Sequence, residues 1–198
     1  MPIEEFRLPD EVSYAIIDFS DYDILTNMKS YPQAFFPKIQ NFIEGNPWYV
    51  ELASGEVVLL RRDLKVGQKL VERSTEPFYN PSTGPQQLID NKISLIHYMI
   101  GQHQTNGLGR IPITFFWHSE EETTDHYELK IRIRSPYHDA IEFTHIIGYS
   151  VSPTGTWKKG EFIKENYWLP LPDGISPADS QIKIYYLNPR TGKSGPIE

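Results

Sequence analysis

No property of this sequence limits the possible folds more than the alternation of apolar and polar side chains in its second half. Within residues 129–134, the apolar Leu129, Ile131 and Ile133 alternate with basic side chains. Residues 181–187 repeat the same spacing. A period of two residues places the apolar side chains on one face of a strand that is buried on that face only. The alternation therefore predicts β-strands rather than helices.

Several β-rich segments follow one another in this half of the chain, with turns between them and no helical period among them. Short strands at such spacing are typical of an antiparallel β-sandwich, which we expect over residues 88–198. The twelve Tyr, four Trp and sixteen Pro residues suit short strands joined by Pro-rich turns. The chain is thus predicted to be mainly β. The predicted strands are residues 93–100, 111–118, 129–134, 141–149, 161–169 and 181–187.

A smaller unit with a helix is predicted ahead of the sandwich, over residues 1–75. Residues 14–19 are a compact apolar run and predict a buried strand. Large apolar side chains recur at a helical period in residues 31–43, and Pro37 offers a second starting point for this helix. Residues 48–61 form two β-rich runs around a Gly-containing turn, which is the pattern of a hairpin. These elements predict a small α/β unit.

Residues 76–87 are predicted to link the two units. Several Xaa-Pro pairs interrupt this polar segment, and proline stops both helices and central strands. The predicted order is therefore an α/β unit at 1–75, a Pro-rich linker at 76–87 and a sandwich at 88–198.

Charge and composition exclude several classes of function. The net charge is −7 and the basic residues are scattered along the sequence, so we expect no nucleic-acid partner. The absence of cysteine excludes thiolate zinc sites and a cysteine nucleophile. No stretch approaches the roughly 20 apolar residues of a membrane span, and the N-terminus lacks the pattern of a signal peptide. We expect a soluble chain, with any targeting or membrane-spanning parts outside it.

Motifs in the second half of the chain carry a family resemblance. Residues 156–161 read TWKKGE, residues 166–172 read NYWLPLP, and residues 181–192 read QIKIYYLNPRTG. An earlier strand ends in FFW at residues 115–117. Together these motifs resemble the Ig-like β-sandwich that closes many predicted polytopic membrane glycosyltransferases. The resemblance implies that the sandwich is of the Ig-like type.

The front of the chain resembles the same source. Residues 14–18 and 57–62 are similar to the soluble tail of multi-spanning proteins grouped with the mannosyltransferase-like glycosyltransferases, which use lipid-linked sugars. In these enzymes the chemistry is attributed to acidic residues in a loop between membrane spans, a part that this sequence does not contain. The sequence departs from the family at Glu165-Asn166, where an Asp is usual, and this departure bears on ligand contacts rather than on the fold.

The resemblance implies a role for the chain and a place for it. It implies a non-catalytic domain on the extracytoplasmic side of a membrane, attached to the membrane-embedded portion of a parent protein that is itself a glycosyltransferase. The partners that it implies are this embedded portion and a glycan or a lipid-linked sugar. Packing over the membrane portion, holding an acceptor and mediating assembly are the three tasks that fit such a domain.

Aromatic side chains offer the candidate binding site. Trp157, Tyr167 and Trp168 are the types of residue that form a flat platform against the apolar face of a sugar. Aromatic rings also fill sandwich cores, which is the alternative for all three. Alternation along a regular strand places Tyr167 and Trp168 on opposite faces, so that at most one of these two is exposed.

Two groups of possible metal ligands have simpler explanations as turns. The first has three carboxylates within six residues but lacks the glycine and the distal glutamate of a calcium loop. The second has imidazole and carboxylate groups at the ends of a hairpin but no third histidine. We therefore expect no metal, and no cofactor or hydrolase triad, since phosphate-binding and Gly-x-Ser-x-Gly motifs are absent. The two groups are Asp18, Asp21 and Asp23, and His118, Glu122, Asp125 and His126.

A second function class fits the same fold prediction. A free-standing sandwich serves as a structural or adhesion part in a viral tail, a capsid or a surface layer. Such a protein buries exposed sheet edges and aromatic patches between copies of itself, so this alternative predicts stable homo-oligomers.

Overall fold

A computed structural model describes the fold of most of the chain. The described residues are 13–19, 48–62, 68–78, 87–102, 109–136, 138–149, 151–172 and 175–197. No helix in these ranges is long and apolar enough to cross a membrane. The strands of these ranges are β1 (Tyr14–Asp18), β2 (Tyr49–Ser54), β3 (Val57–Arg61), β4 (Val71–Ser74), β5 (Gln87–Ile89), β6 (Ile93–Ile100), β7 (Arg110–Ser119), β8 (Glu128–Ser135), β9 (His138–Ile146), β10 (Phe162–Pro170), β11 (Gln181–Asn188) and β12 (Lys193–Ile197).

Two antiparallel sheets enclose the main core. One has five strands in the order β4-β10-β7-β6-β5, and the other has four in the order β12-β11-β8-β9. Alternation along β8 buries Ile131 completely, and Ile184 of β11 is partly buried against the same core. The opposite sheet contributes Trp117 and Ile163, both with no exposed surface. The predicted mainly β fold is confirmed, and its layers are those of a β-sandwich.

The six predicted strands of the sandwich are all present, as β6 to β11. The sequence analysis missed β4, β5 and β12. The first two have only four and three residues, too few to establish a period. The third contains Gly195 and Pro196, which normally mark turns and edges rather than strands.

The front of the chain forms a third sheet, with the order β1-β3-β2. Its first strand and its hairpin agree with the prediction, whereas the predicted helix at residues 31–43 lies outside the described residues. The expectation of a buried β1 was wrong. Ile16 is 75% exposed, while Ala15 and Ile17 pack against the core. One face of β1 therefore meets the sandwich and the other meets solvent.

The three-stranded sheet shares the core of the sandwich. Val58 and Leu60 of β3 belong to the same buried cluster as the sandwich residues. At the tip of the β2-β3 hairpin, the Gly55 amide donates to the Trp168 carbonyl of β10 at 2.7 Å. The Arg110 guanidinium donates to the Ala53 carbonyl at 2.8 Å. These contacts bring the hairpin tip to one end of the sandwich.

Candidate functional site

A buried charged cluster lies where the hairpin tip meets the sandwich. The His145 ring contacts a carboxylate on each side, with Nδ1 2.7 Å from Glu56 Oε1 and Nε2 2.9 Å from Glu165 Oε1. The Glu165 carboxylate also accepts from the Gly148 amide at 2.6 Å and from Trp117 Nε1 at 2.9 Å. Glu165 and His145 have no exposed side-chain surface, and that of Glu56 is 12% exposed. The Glu165 carboxylate thus has three hydrogen-bond partners in the core, namely His145, the Gly148 amide and the Trp117 indole.

A tight turn after β9 holds one of these donors in place. Gly148 has φ +78, a left-handed conformation that suits glycine, and a Cβ there would lie 1.9 Å from the Ser152 carbonyl oxygen. The next residue, Tyr149, also has a positive φ of 51. Its hydroxyl donates to the Asn166 carbonyl at 3.2 Å, and its ring packs edge-on against His145 with centroids 4.6 Å apart. The turn therefore packs against β10 on the inner side of the sandwich.

The cluster favours a protonated histidine. Burial lowers the pKa of His145, but the charges of Glu56 and Glu165 and their hydrogen bonds more than offset this, and the pKa is raised to about 10. Burial, followed by the same carboxylates, raises the pKa of Tyr149 and Tyr167 well above the ordinary phenol value. At neutral pH the cluster consists of an imidazolium between two carboxylates, beside neutral tyrosines.

This arrangement is a closed structural contact rather than a reactive centre. A general base must be within hydrogen-bond reach of a substrate, and both ring nitrogens of His145 are occupied by carboxylates. The pair Glu56 and Glu165 holds the proton on the ring. Its chemical effect is to join the three-stranded sheet to the sandwich through charge.

Two adjacent cavities on another side of the molecule are open to solvent. The first has a volume of about 570 Å³ and the second about 540 Å³, and Thr156 and Lys158 line both. We call the pair the double cavity. The first cavity combines apolar and charged side chains, including Trp48, Leu60, Leu70, Phe78, Lys69 and Arg73. The second is more polar and includes Lys92, Glu122, Thr123, Thr124, Asp125 and Arg190.

Hydrogen bonds fix the segment between the two cavities. Arg73 donates to the Thr156 carbonyl at 3.0 Å and forms an ion pair with Glu161. Glu161 in turn accepts from the Lys158 amide at 2.8 Å. The side chain of Lys158 has no described partner, so its ammonium group is available to a ligand. The double cavity thus has a preformed wall with a free cation on it.

The three candidate aromatic residues do not form a platform. Trp157 is 2% exposed and donates from Nε1 to the Ser152 carbonyl at 2.7 Å, although one part of it borders the second cavity. Tyr167 is 1% exposed and stacks on His145, and Trp168 is 5% exposed. Tyr167 and Trp168 lie on opposite faces of β10, as alternation predicts, but both faces are covered at this position. These three rings therefore fill the core of the sandwich, which was the alternative to a binding platform.

The exposed aromatic ring of the double cavity is that of Phe78, which is 37% exposed. The sequence analysis missed it because it lies in the Pro-rich segment and belongs to no strand pattern. The aromatic pair Phe78-Tyr79 within a polar, Pro-rich segment is the sequence signal that points to it.

The second group of possible metal ligands is dispersed. His118 Nδ1 lies 2.9 Å from Glu120, and burial lowers the pKa of His126 although Asp125 opposes this shift. Asp125 accepts from Asn188. Among the described residues, no three His, Asp or Glu side chains are placed to hold a metal ion. In the first group, Asp21 and Asp23 lie outside the described residues.

Comparison with known proteins assigns no family to the chain. No family model, no curated protein and no solved structure matches it.

Proposed function

We propose that the chain is a non-catalytic, extracytoplasmic domain of a membrane glycosyltransferase-like protein, with an Ig-like sandwich that binds carbohydrate or positions an acceptor. The observation that carries this proposal is the double cavity. Its two parts, of about 570 and 540 Å³, fall within the size range of ligand sites in proteins. The membrane parent comes from the sequence motifs, and the binding role comes from the cavity.

The lining of the double cavity suits a neutral, hydroxyl-rich ligand. Thr123, Thr124 and Thr156 line the double cavity with hydroxyl groups. The Thr156 hydroxyl donates to the Pro153 carbonyl and keeps acceptor capacity, and the Thr123 hydroxyl accepts from the Asp125 amide and keeps its donor. Lys158 offers a charged donor, and the exposed ring of Phe78 offers an apolar face. A sugar presents the same combination of hydroxyl groups and apolar C–H faces. Cations and carboxylates are nearly balanced in the lining, so the site has no strong preference for a charged ligand.

The buried cluster supports the non-catalytic part of the proposal. His145 lies 2.9 Å from Glu165, and both side chains are fully buried and paired with each other. Neither ring nitrogen of His145 is open to the double cavity or to any substrate. The chemistry then belongs to the parent protein, and this chain contributes binding.

The proposal predicts that carbohydrate binding depends on the double cavity. A panel of neutral oligosaccharides screened as a glycan array, followed by calorimetric titration of the hits, is expected to give a ligand. Replacing Phe78 by Ala or Lys158 by Ala is expected to weaken its binding about tenfold, since each removes a contact of about 1.4 kcal/mol.

Matched controls are available on the same protein. Tyr98 is 38% exposed, close to the 37% of Phe78, and lies outside the double cavity, so Tyr98→Ala is expected to leave affinity unchanged. Lys159→Ala provides the same control for Lys158. Equal losses in the controls, or no bound glycan, would contradict the binding role. A native reading frame without membrane-spanning segments would contradict the membrane part.

A specific observation also favours the alternative of a free-standing structural or adhesion protein. The last residues of β6 expose apolar side chains in a row, with Tyr98 38%, Met99 46% and Ile100 55% exposed. The short β5 pairs only with the beginning of β6. On that side, the rest of β6 has no strand beside it among the described residues. An apolar strand edge of this kind is suited to pairing between copies.

The alternative predicts a homo-oligomer that this edge holds together. Light scattering of the purified chain is expected to give a dimer or larger, and Ile100→Lys is expected to return it to a monomer. Ile16→Lys is the control, because Ile16 is 75% exposed on a different sheet. A monomeric wild-type chain at millimolar concentration argues against the structural role.

A further inference from the structure

Strand pairing gathers basic side chains on the outer face of the four-stranded sheet. Lys130, Arg132 and Arg134 alternate with buried residues along β8, so they project from the sheet on the side away from the core. Lys183 of β11 is the direct cross-strand partner of Arg132. We call these four residues the basic face. Three of them lie within residues 130–134, and strand pairing brings Lys183 beside them.

The pairing of Arg132 with Lys183 opposes stability. Like charges directly opposite each other on neighbouring strands destabilise a sheet. Glu142 of β9 pairs with Arg132 on its other side, and Glu128 lies 3.5 Å from the Lys130 ammonium. Within the described residues, no ion pair is formed by Arg132, Arg134 or Lys183. Two carboxylates thus stand against four basic side chains, and the face keeps a net positive charge.

The sign of this face is opposite to that of the whole protein. The chain has a net charge of −7, so a cluster of four basic side chains does not follow from its composition. Alternation along β8 and strand spacing confine the cluster to a region of roughly 14 Å by 5 Å. The surface is a flat sheet face rather than a groove, so it is complementary to a flat anionic partner.

We propose that the basic face rests on an anionic lipid membrane. Arg and Lys side chains extend from a sheet far enough to reach lipid phosphates while the sheet stays outside the bilayer. The acidic remainder of the protein does not prevent this contact, because charges more than about 8 Å from the lipids are largely screened at physiological ionic strength. This inference rests on the proposed attachment to a membrane protein. It adds to that proposal the orientation of the domain at the membrane.

Nucleic acid fits the same face less well. Binding to a duplex commonly neutralises six or more phosphates, which exceeds the four cations present. A membrane contacts only the flat face and needs no surrounding positive surface.

The expected affinity is modest for the free chain and sufficient for a tethered one. Each basic residue near an anionic surface strengthens binding by about fivefold. Tethering to a membrane-embedded parent raises the local concentration of lipid, so that weak contacts become occupied. The basic face would then set the orientation of the domain rather than recruit it.

Vesicle sedimentation tests the proposal on the whole chain. The probes are vesicles of phosphatidylcholine with increasing fractions of phosphatidylserine. Binding is expected to rise with the phosphatidylserine fraction and to disappear at 1 M salt, where the screening length is about 3 Å. The triple variant Arg132→Ser, Arg134→Ser and Lys183→Ser is expected to bind about one hundredfold more weakly.

The control variant removes the same charge elsewhere. Lys159, Lys164 and Lys193 form ion pairs away from the basic face, and replacing all three by Ser is expected to reduce binding by less than tenfold. Equal losses in the two variants, or binding that ignores the phosphatidylserine fraction, would overturn the proposal. So would tighter binding to duplex DNA than to vesicles at equal charge. Glycan affinity at the double cavity is measured separately. The two measurements together distinguish failure of this inference from failure of the proposed function.

Discussion

Replacing Glu165 with Gln is expected to lower the free energy of unfolding by about 3–5 kcal/mol, because removing one partner of a buried ion pair leaves the other charge uncompensated. Gln has nearly the same shape as Glu, so the loss arises from charge and not from a cavity. The His145 ring would keep only Glu56 as a counter-charge. The NH2 group of the new Gln side chain would also face a hydrogen-bond donor where a carboxylate oxygen now accepts. The total free energy of unfolding of a typical domain is only about 5–15 kcal/mol. Urea denaturation measures the difference.

An exposed glutamate on β9, in the other sheet of the sandwich, is the matched control. Glu142→Gln is expected to change stability by less than about 0.5 kcal/mol, as exposed substitutions do. The double variant Glu165→Leu and His145→Leu is expected to cost less than the two single changes added together, since neither charge is left alone in the core. Strict additivity, or a Glu165→Gln variant within 1 kcal/mol of the wild type, would contradict the assignment of a charged cluster.

Stability is expected to fall as the pH rises from about 6.5 to about 10. An unfolded chain releases the His145 proton near pH 6.5, whereas the carboxylates hold it in the folded protein up to a pKa of about 10. The stabilisation is therefore complete below pH 6.5 and is lost as the pH approaches 10. The slope is about 1.4 kcal/mol per pH unit, which corresponds to one proton. Urea midpoints between pH 6.5 and 9.5 provide the measurement.

A second histidine, His126, affects stability in the opposite direction as the pH changes. Its effect sets the lower end of this pH range. Burial lowers the pKa of His126, so its unfolded form binds more protons, and stability rises with pH until about 6.5. A maximum near pH 6.5 is therefore expected. In a His145→Gln variant the decline above that pH is expected to vanish. If that variant does not fold, the imidazole NMR signal of wild-type His145 serves instead, and a titration near pH 6.5 would contradict the prediction.

The sequence predicted most of the sandwich because alternation depends on local residues alone. Ile131 and Ile184 are on the core side as expected, and the boundaries of β6 agree with the prediction. Alternation did not predict the short strands β4 and β5, which are held by their neighbours rather than by a pattern of their own. It also predicted too much burial for β1, since an apolar run does not reveal which face has a partner.

The buried cluster was missed because its members come from three distant parts of the chain, namely the β2-β3 turn, β9 and β10. Glu56 and His145 are 89 residues apart, and His145 and Glu165 are 20 apart. A signal was nevertheless present. Glu165 stands at a core-facing position of β10, between Ile163 and Tyr167, where alternation demands an apolar side chain. A charged residue on the apolar face of a strand predicts a buried partner of opposite charge.

The basic face was missed for a related reason. Arg132 and Lys183 are far apart along the chain, so the sequence does not show that they are neighbours. Cross-strand register makes them neighbours, and register cannot be read from composition. For the aromatic platform, the sequence suggested an exposed surface that the fold does not have. Trp168 lies on a sheet face that other parts of the chain cover.

The role of β4 has a consequence for dividing the protein into fragments. This strand precedes the Pro-rich segment, yet it forms the margin of the five-stranded sheet by pairing with β10. A polypeptide cut at that segment would retain β10 with its unmatched amides and carbonyls facing water, and it would also lack Glu56 beside the buried imidazolium. Such a bare margin invites strands from other molecules. The sandwich is thus completed by residues that come before its apparent beginning.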